Sequence, residues 1–181
     1  IIVFDGGNND TSLIRPDLYI TVVDPHRAGH ELKYYPGETN FLLADVIIIN
    51  KIDSAKPEKV KLVLKNIKQY NPKAIVIKAK STITVDKPDV IKGCRALVIE
   101  DGPTLTHGGM TFGAGMLAAK RYGARIVDAQ KHAVGSLKRV YKEYPHLKKI
   151  LPAMGYSREQ TKELEQTINS ARCDIVIDGS P

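Results

Sequence analysis

The chain predicts an α/β fold, a mainly parallel sheet with helices on both faces in a Rossmann-like three-layer arrangement. Two observations carry this expectation. Short aliphatic runs recur along the sequence, and the clearest, Val46 to Ile49, has the unbroken apolar character of a strand covered on both faces. Each run delivers polar or glycine-rich residues, and amphipathic stretches such as Pro57 to Tyr70 separate successive runs. In open α/β sheets ligands bind outside the carboxyl ends of the strands, so those polar residues are where chemistry is sought.

In chain order, Ile1 to Phe4 reads as a strand, and Leu18 to Val23 as the next. Thr39 or Asn40 can cap a short helix, Phe41 to Leu43, that leads back to Val46 to Ile49. Ser54 can cap the helix Pro57 to Tyr70, whose apolar side is Val60, Val63, Leu64 and Ile67, and Asn71-Pro72 stops it. Ala74 to Ala79 completes a β-α-β unit, whereas Ser81 to Lys92 carries no functional signal. Ala96 to Ile99 is a strand, Phe112 to Tyr122 a helix, and Arg125 to Val127 a strand ending at Asp128. A mostly helical stretch is expected over Lys131 to Leu151, then a helix capped by Ser157 and ending near Ala171, then a strand over Asp174 to Ile177.

At 181 residues the chain suits a single α/β domain, 1–181. It starts Ile-Ile-Val without an initiator methionine, and its first Met is Met110, which reads as part of something longer. Cys94 and Cys173 stand far apart beside apolar residues, which excludes a CxxC metal site and suits a reduced, cytoplasmic protein. No apolar run approaches the ~20 residues that span a bilayer, so a membrane is not expected as a partner. The net charge of +7 favours anionic partners. Only 6% of residues are aromatic, too few for stacking platforms, which argues for phosphorylated small molecules and against nucleic acid.

Five strand ends gather candidate residues. After the first run comes Asp5-Gly6-Gly7-Asn8-Asn9-Asp10, where Asp5 is a Mg²⁺ candidate and Gly6 and Gly7 would let backbone approach a phosphate. After the second comes Asp24-Pro25-His26-Arg27-Ala28-Gly29-His30-Glu31. Arg27 offers a planar fork for an anion, and His26 and His30 can donate to phosphate oxygens or move protons. Pro25 and Gly29 argue against the helix that would align the two histidines on zinc. After Val46 to Ile49 comes Asn50-Lys51-Ile52-Asp53. The fourth, Glu100 to Thr111, offers donors in Thr106 and His107, close backbone approach at Gly108 and Gly109, metal-binding or acid candidates in Glu100 and Asp101, and a helix N-terminus for an anion. Gly179 and Ser180, at the last strand's end, are further nucleotide-binding candidates.

Asn50-Lys51-Ile52-Asp53 resembles the guanine-recognition box of P-loop GTPases, in which the Asp accepts from the base edge and the Lys stem packs along it. Asp5-Gly6-Gly7 resembles the D-x-G switch of the same enzymes more loosely. Taken together and in order, DGGNND, DPHRxGHELKYYPGETN, NKID and EDGPTLTHGGM resemble the archaeal cyclic 2,3-diphosphoglycerate synthetases and the predicted GTPases grouped with them. The resemblance implies a P-loop NTPase-like fold, ATP or GTP with Mg²⁺, and closure of a phosphoanhydride within 2,3-diphosphoglycerate. It assigns the substrate or the transferring phosphoryl group to His26, Arg27, His30, Thr106 and His107.

No G-x-x-x-x-G-K-[ST] occurs in the chain, so the phosphate cradle would lie in an upstream segment acting as partner to this one, and the chain alone is expected to be inactive. Homo-oligomerisation stays open. Two other classes also remain: a GTP-binding regulator or metallochaperone, and a non-catalytic nucleotide- or anion-binding domain.

Overall fold

The computed structural model describes residues 1–7, 10–106 and 109–180. The chain divides into two compact units, Ile1–Thr82 and Ile83–Pro181. Every strand pair is parallel, which is the expected α/β class, and the strands pair in two sheets, one in each unit.

In the first unit, strands β1 (Ile20–Val23), β2 (Val46–Ile49) and β3 (Ile75–Lys78) lie side by side in that order. Helices α1 (Gly37–Leu43) and α2 (Pro57–Tyr70) form the connections. Both pack on one sheet face, where Val23, Ile47 and Ile49 close a core with Phe41 of α1 and Val63 and Ile67 of α2. Each of these buried side chains contributes roughly 1.5–3 kcal/mol of apolar burial. Asn71, just past α2, turns its buried amide onto the carbonyls of Phe41 and Ala44 at 3.0 and 2.9 Å, satisfying the C-terminal end of α1.

Register puts Ile20, Val46 and Ile75 in one row and Val22, Ile48 and Ile77 in another, all on the sheet's opposite face. That face is aliphatic throughout, yet Val22 is 61% and Ile75 65% exposed.

In the second unit, β4 (Arg95–Asp101) is central. It pairs with β7 (Ile175–Gly179) on one side, and with β5 (Arg125–Ile126) and then β6 (Leu151–Ala153) at successive registers. Ala96 to Glu100 are all buried, as in a strand covered on both faces. A short helix, α3 (Gly102–Thr106), follows it, and α4 (Ala114–Arg121), α5 (Gly135–Glu143) and α6 (Arg158–Ser170) complete the unit. Met116 and Ala119 of α4 and Leu137 and Tyr141 of α5 join the β4 core.

Several expectations are corrected. Ile1 to Phe4 form no strand: they are exposed coil and join neither open edge of the β1-β2-β3 sheet, which an apolar run alone does not oblige them to do. The stretch from Lys131 to Leu151 is mostly helical, as expected, but in pieces. It breaks into a 3₁₀ turn over Ala129–His132, α5, a second 3₁₀ turn over Pro145–Leu147 and the start of β6, with Gly135 at φ 52° and Pro145 marking the interruptions. Ser54 does not cap α2; Lys56 is the N-cap, without a side-chain bond, and Pro57 opens the helix. Thr39 and Asn40 lie inside α1 instead of capping it, since that helix starts at Gly37. Ser157 does cap α6, accepting the Gln160 N–H at 3.2 Å.

Candidate nucleotide-binding site

Parallel pairing of β1 and β2, with Val23 opposite Ile49, sets Asp24 and Asn50 side by side where the two strands end. The Asn50 N–H continues the ladder onto the Val23 carbonyl at 3.0 Å. The chain then turns sharply. Lys51 has φ 55°, a left-handed backbone that side-chain-bearing residues rarely adopt. The turn is held locally: Asn50 Oδ1 accepts the Lys51 N–H at 2.9 Å, and the Lys51 carbonyl accepts from the N–H of Ser54 and of Ala55 at 3.2 and 3.1 Å.

Two bridges join this box to the loop after β1. The Lys51 ammonium donates to Asp24 Oδ2 at 2.8 Å, and His26 Nε2 lies 3.0 Å from Ser54 Oγ. Asp24 Oδ1 also accepts the His26 N–H at 2.9 Å, capping a 3₁₀ turn over Pro25–Arg27. Gly29, at φ 96°, starts a second turn over His30–Leu32, so the two histidines do not share a helix. Glu31 fastens the loop to α2, one oxygen accepting the Gly29 N–H at 2.7 Å and the other the buried Asn66 amide at 2.7 Å. His30 packs edge-on against Tyr34. Arg27 carries a buried Nε with no hydrogen-bond partner, a donor that suits an anion.

The third strand closes the box. Ile52 donates to the Ala79 carbonyl at 3.2 Å, and Asp53 Oδ1 accepts the Ser81 N–H at 3.1 Å. Asn50, Lys51, Asp53, His26 and Arg27 therefore stand on strand ends and turns of one three-stranded sheet. Sequence reasoning took Ser54 for a cap, left Asp24 out of the candidate set, and saw no functional signal in Ser81. The signal for Ser81 was present: it follows β3 as the other polar candidates follow their strands.

Asp5, Gly6 and Gly7 lie in exposed coil, where the Gly7 N–H bonds to Asp10 Oδ2 at 3.1 Å. The remaining candidates fall in the second unit. Glu100 is 2% exposed, and the anion at the N-terminus of α4 is its own carboxylate, which accepts the N–H groups of Gly113, Gly115 and Met116 at 3.0, 3.3 and 2.7 Å. Burial pushes its pKa up, and the three N–H bonds oppose that rise. Asp101 Oδ2 accepts both the N–H and the hydroxyl of Thr104, at 3.0 and 2.6 Å. Thr106 Oγ1 donates to the Gly102 carbonyl at 2.9 Å. Gly179 packs on the first turn of α4, and Ser180 donates to Asp178 Oδ1 from its N–H and hydroxyl. Gly109 has φ 62°. His107 and Gly108 lie outside the described residues.

Both Glu100 oxygens and Oδ2 of Asp101 are thus engaged by backbone or hydroxyl donors. Among the described residues no group of three or more His, Cys, Asp or Glu side chains gathers into a metal site. Nor is any helix among them long and apolar enough to cross a membrane.

Residues 4–78 match the CobW/HypB/UreG nucleotide-binding domain. That match runs from just before Asp5 to the end of β3, so it takes in the whole of the first sheet. The chain is 62% identical to the arginine synthetase ArcE of Thermococcus kodakarensis over 182 aligned residues, covering all of this chain and 41% of that protein. It is 30% identical to a cyclic 2,3-diphosphoglycerate synthetase of Thermococcus sibiricus over 106 residues, 57% of this chain and 23% of that protein. A cyclic 2,3-diphosphoglycerate synthetase of Pyrococcus furiosus is 30% identical over 74 residues, 41% of this chain and 17% of that protein. The chain spans about two-fifths of ArcE and less than a quarter of these two synthetases.

Proposed function

We propose that this chain is the nucleotide-binding portion of a ligase-type synthetase, in which cleavage of ATP or GTP drives formation of a bond on a small substrate. The observation that carries the reading is the box at the end of β2. Asn50 and Lys51 are held in a strained turn, and Asp53 is oriented by the Ser81 N–H beside a loop that presents the unpartnered Arg27 Nε. Strain in a backbone conformation that most residues avoid is retained where function needs it. In this reading Asp53 accepts from a base edge, the Lys51 stem lines the base, and Arg27 meets an anionic group of nucleotide or substrate.

Of the bond-forming chemistries that the relatives' names carry, arginine formation is favoured over closure of cyclic 2,3-diphosphoglycerate. Similarity to ArcE extends over all 181 residues at twice the identity of the other relatives. The cyclic product is the second reading, supported by the four motifs quoted above and by those more distant similarities.

The deciding experiment supplies the full-length protein with ATP or GTP and Mg²⁺, adding a ureido amino acid with ammonium in one arm and 2,3-diphosphoglycerate in the other. Nucleotide cleavage stimulated in the first arm, with arginine detected by mass spectrometry, is the expected result. Stimulation in the second arm alone moves the assignment to the cyclic product. Nucleotide binding without turnover in either arm makes the protein a GTP-binding regulator or other binding module.

A further inference from the structure

We propose that Asp24 is a positioning residue for Lys51, holding the ammonium so that the lysine stem forms a fixed wall of the base pocket. The inference rests on the nucleotide-binding reading given above and assigns Asp24 to the base side of the site. Both carboxylate oxygens are engaged: Oδ2 takes the Lys51 ammonium at 2.8 Å and Oδ1 the His26 N–H at 2.9 Å.

An exposed ion pair between two free side chains orders little, because the lysine loses rotamer freedom to form it. Lys51 differs in that its backbone is already fixed in the left-handed turn, pinned by Asn50 Oδ1 and by the bonds from Ser54 and Ala55 to its carbonyl. Its near end is set by that turn and its far end by Asp24, so the four-carbon stem between them is held along one line. Asp24 is the better shielded partner, with 21% of its side chain exposed against 41% for Lys51. The second bridge, His26 to Ser54 at 3.0 Å, fastens the loop that carries Asp24 to the same box. Replacing Asp24 by Asn, which keeps an oxygen to accept the His26 N–H and hold the turn that carries Arg27, therefore frees the stem and lowers affinity for the base.

The test uses the full-length protein with Mg²⁺ and calorimetric titration of GTP, ATP and inorganic triphosphate. It compares wild type with Asp24→Asn, Asp24→Glu, Lys51→Ala and the Asp24→Asn/Lys51→Ala double variant. Asp24→Asn should weaken the preferred nucleoside triphosphate about three- to tenfold and leave triphosphate unchanged. The double variant should bind like Lys51→Ala alone, and Asp24→Glu should recover part of the loss. Equal losses for nucleotide and triphosphate, or additive losses in the double variant, overturn the proposal.

A second readout needs no nucleotide. With the lysines dimethylated and followed by carbon-13 NMR, the Lys51 signal should stand apart from the surface lysines in wild type and merge with them in Asp24→Asn. A signal that does not move refutes the ion pair itself, even if either variant at position 24 folds poorly. Wild-type protein that binds neither GTP nor ATP removes the functional reading and with it the base wall, while the NMR result still decides the pair.

Discussion

Glu100 Oε1 accepts the backbone N–H of Met116 at 2.7 Å, so the end of β4 is stapled to the first turn of α4 by a buried carboxylate. A helix N-terminus carries partial positive charge and unsatisfied N–H groups, and Glu100 answers both from within the fold.

Glu100→Ala should destabilise the protein by about 2–4 kcal/mol, since it leaves N–H groups of Gly113, Gly115 and Met116 without an acceptor in a dry site. Chemical denaturation of both proteins at neutral pH measures this, and a loss below about 1 kcal/mol would show that water takes over the three bonds. The pH dependence has a definite sign. The folded-state pKa is raised, chiefly by burial, so the fold holds this proton more tightly than the unfolded chain does. That contribution is complete below the unfolded value of about 4.3 and is lost as pH rises through the folded value. The stability of wild type relative to Glu100→Gln should therefore improve on acidification from neutral and level off below pH of about 4.

A Cβ on Gly179 would stand 2.4 Å from the Gly115 nitrogen and 2.7 Å from Glu100 Oε2. Gly179→Ala must push β7 away from α4, and because the first obstacle is backbone, the cost should reach about 1–3 kcal/mol. Gly37→Ala, which meets nothing within 4 Å, is the control and should change stability little. Comparable melting temperatures for the two variants would mean that the β7–α4 contact is looser than described.

Asp174 accepts from Arg95 through its backbone N–H at 2.8 Å and through its guanidinium at 2.7 Å, which pulls its pKa down to about 2. A depressed carboxylate contributes stability above its unfolded pKa of about 3.9 and loses it as pH falls through the folded value. Arg95→Ala should return the Asp174 pKa toward the ordinary carboxylate range, read by NMR titration of the carboxyl carbon. The effect should shrink in concentrated salt, since both side chains are exposed.

Asp53→Asn in the full-length protein should weaken GTP relative to xanthosine triphosphate, whose 2-oxo group prefers a donor where guanine presents one. Competition binding with GTP, ATP and xanthosine triphosphate reads the change, and an equal loss for all three would rule out base readout by Asp53. Tight ATP binding by wild type without competition from GTP would make the resemblance at Asn50 to Asp53 a coincidence.

Much of the site was legible because its parts are local. Val46 to Ile49 followed by Asn50-Lys51-Ile52-Asp53 announces a buried strand with a polar end, and the structure has that strand and that end. What pairs with what was not legible. Asp24 and Lys51 are neighbours only because β1 and β2 are, and no local pattern specifies a contact 27 residues away in sequence. Ile1 to Phe4 failed for a related reason, since a short apolar run describes a segment able to join a sheet and does not say whether it pairs. Leu151 to Ala153 failed in the opposite sense. Its Pro152 argues against a strand, yet the segment lies along the end of β4 with Pro152 opposite Glu100, a position compatible with a missing N–H. The helix N-terminus after Glu100 to Thr111 reads as a place for an anion, and composition cannot say that the anion is the Glu100 side chain, thirteen residues before Gly113.

The bare aliphatic face of the first sheet has a colloidal consequence. Molecules carrying a net charge of +7 repel one another, and that repulsion is long-ranged only in dilute electrolyte. With Ile20, Val22, Ile75 and Ile77 open to water on one plane, the attraction that remains after screening is hydrophobic, and excluded salts such as sulfate strengthen it. This polypeptide should therefore stay dispersed in low-salt buffer, cloud early on a salting-out series, and clear again when Val22 and Ile77 are both replaced by threonine.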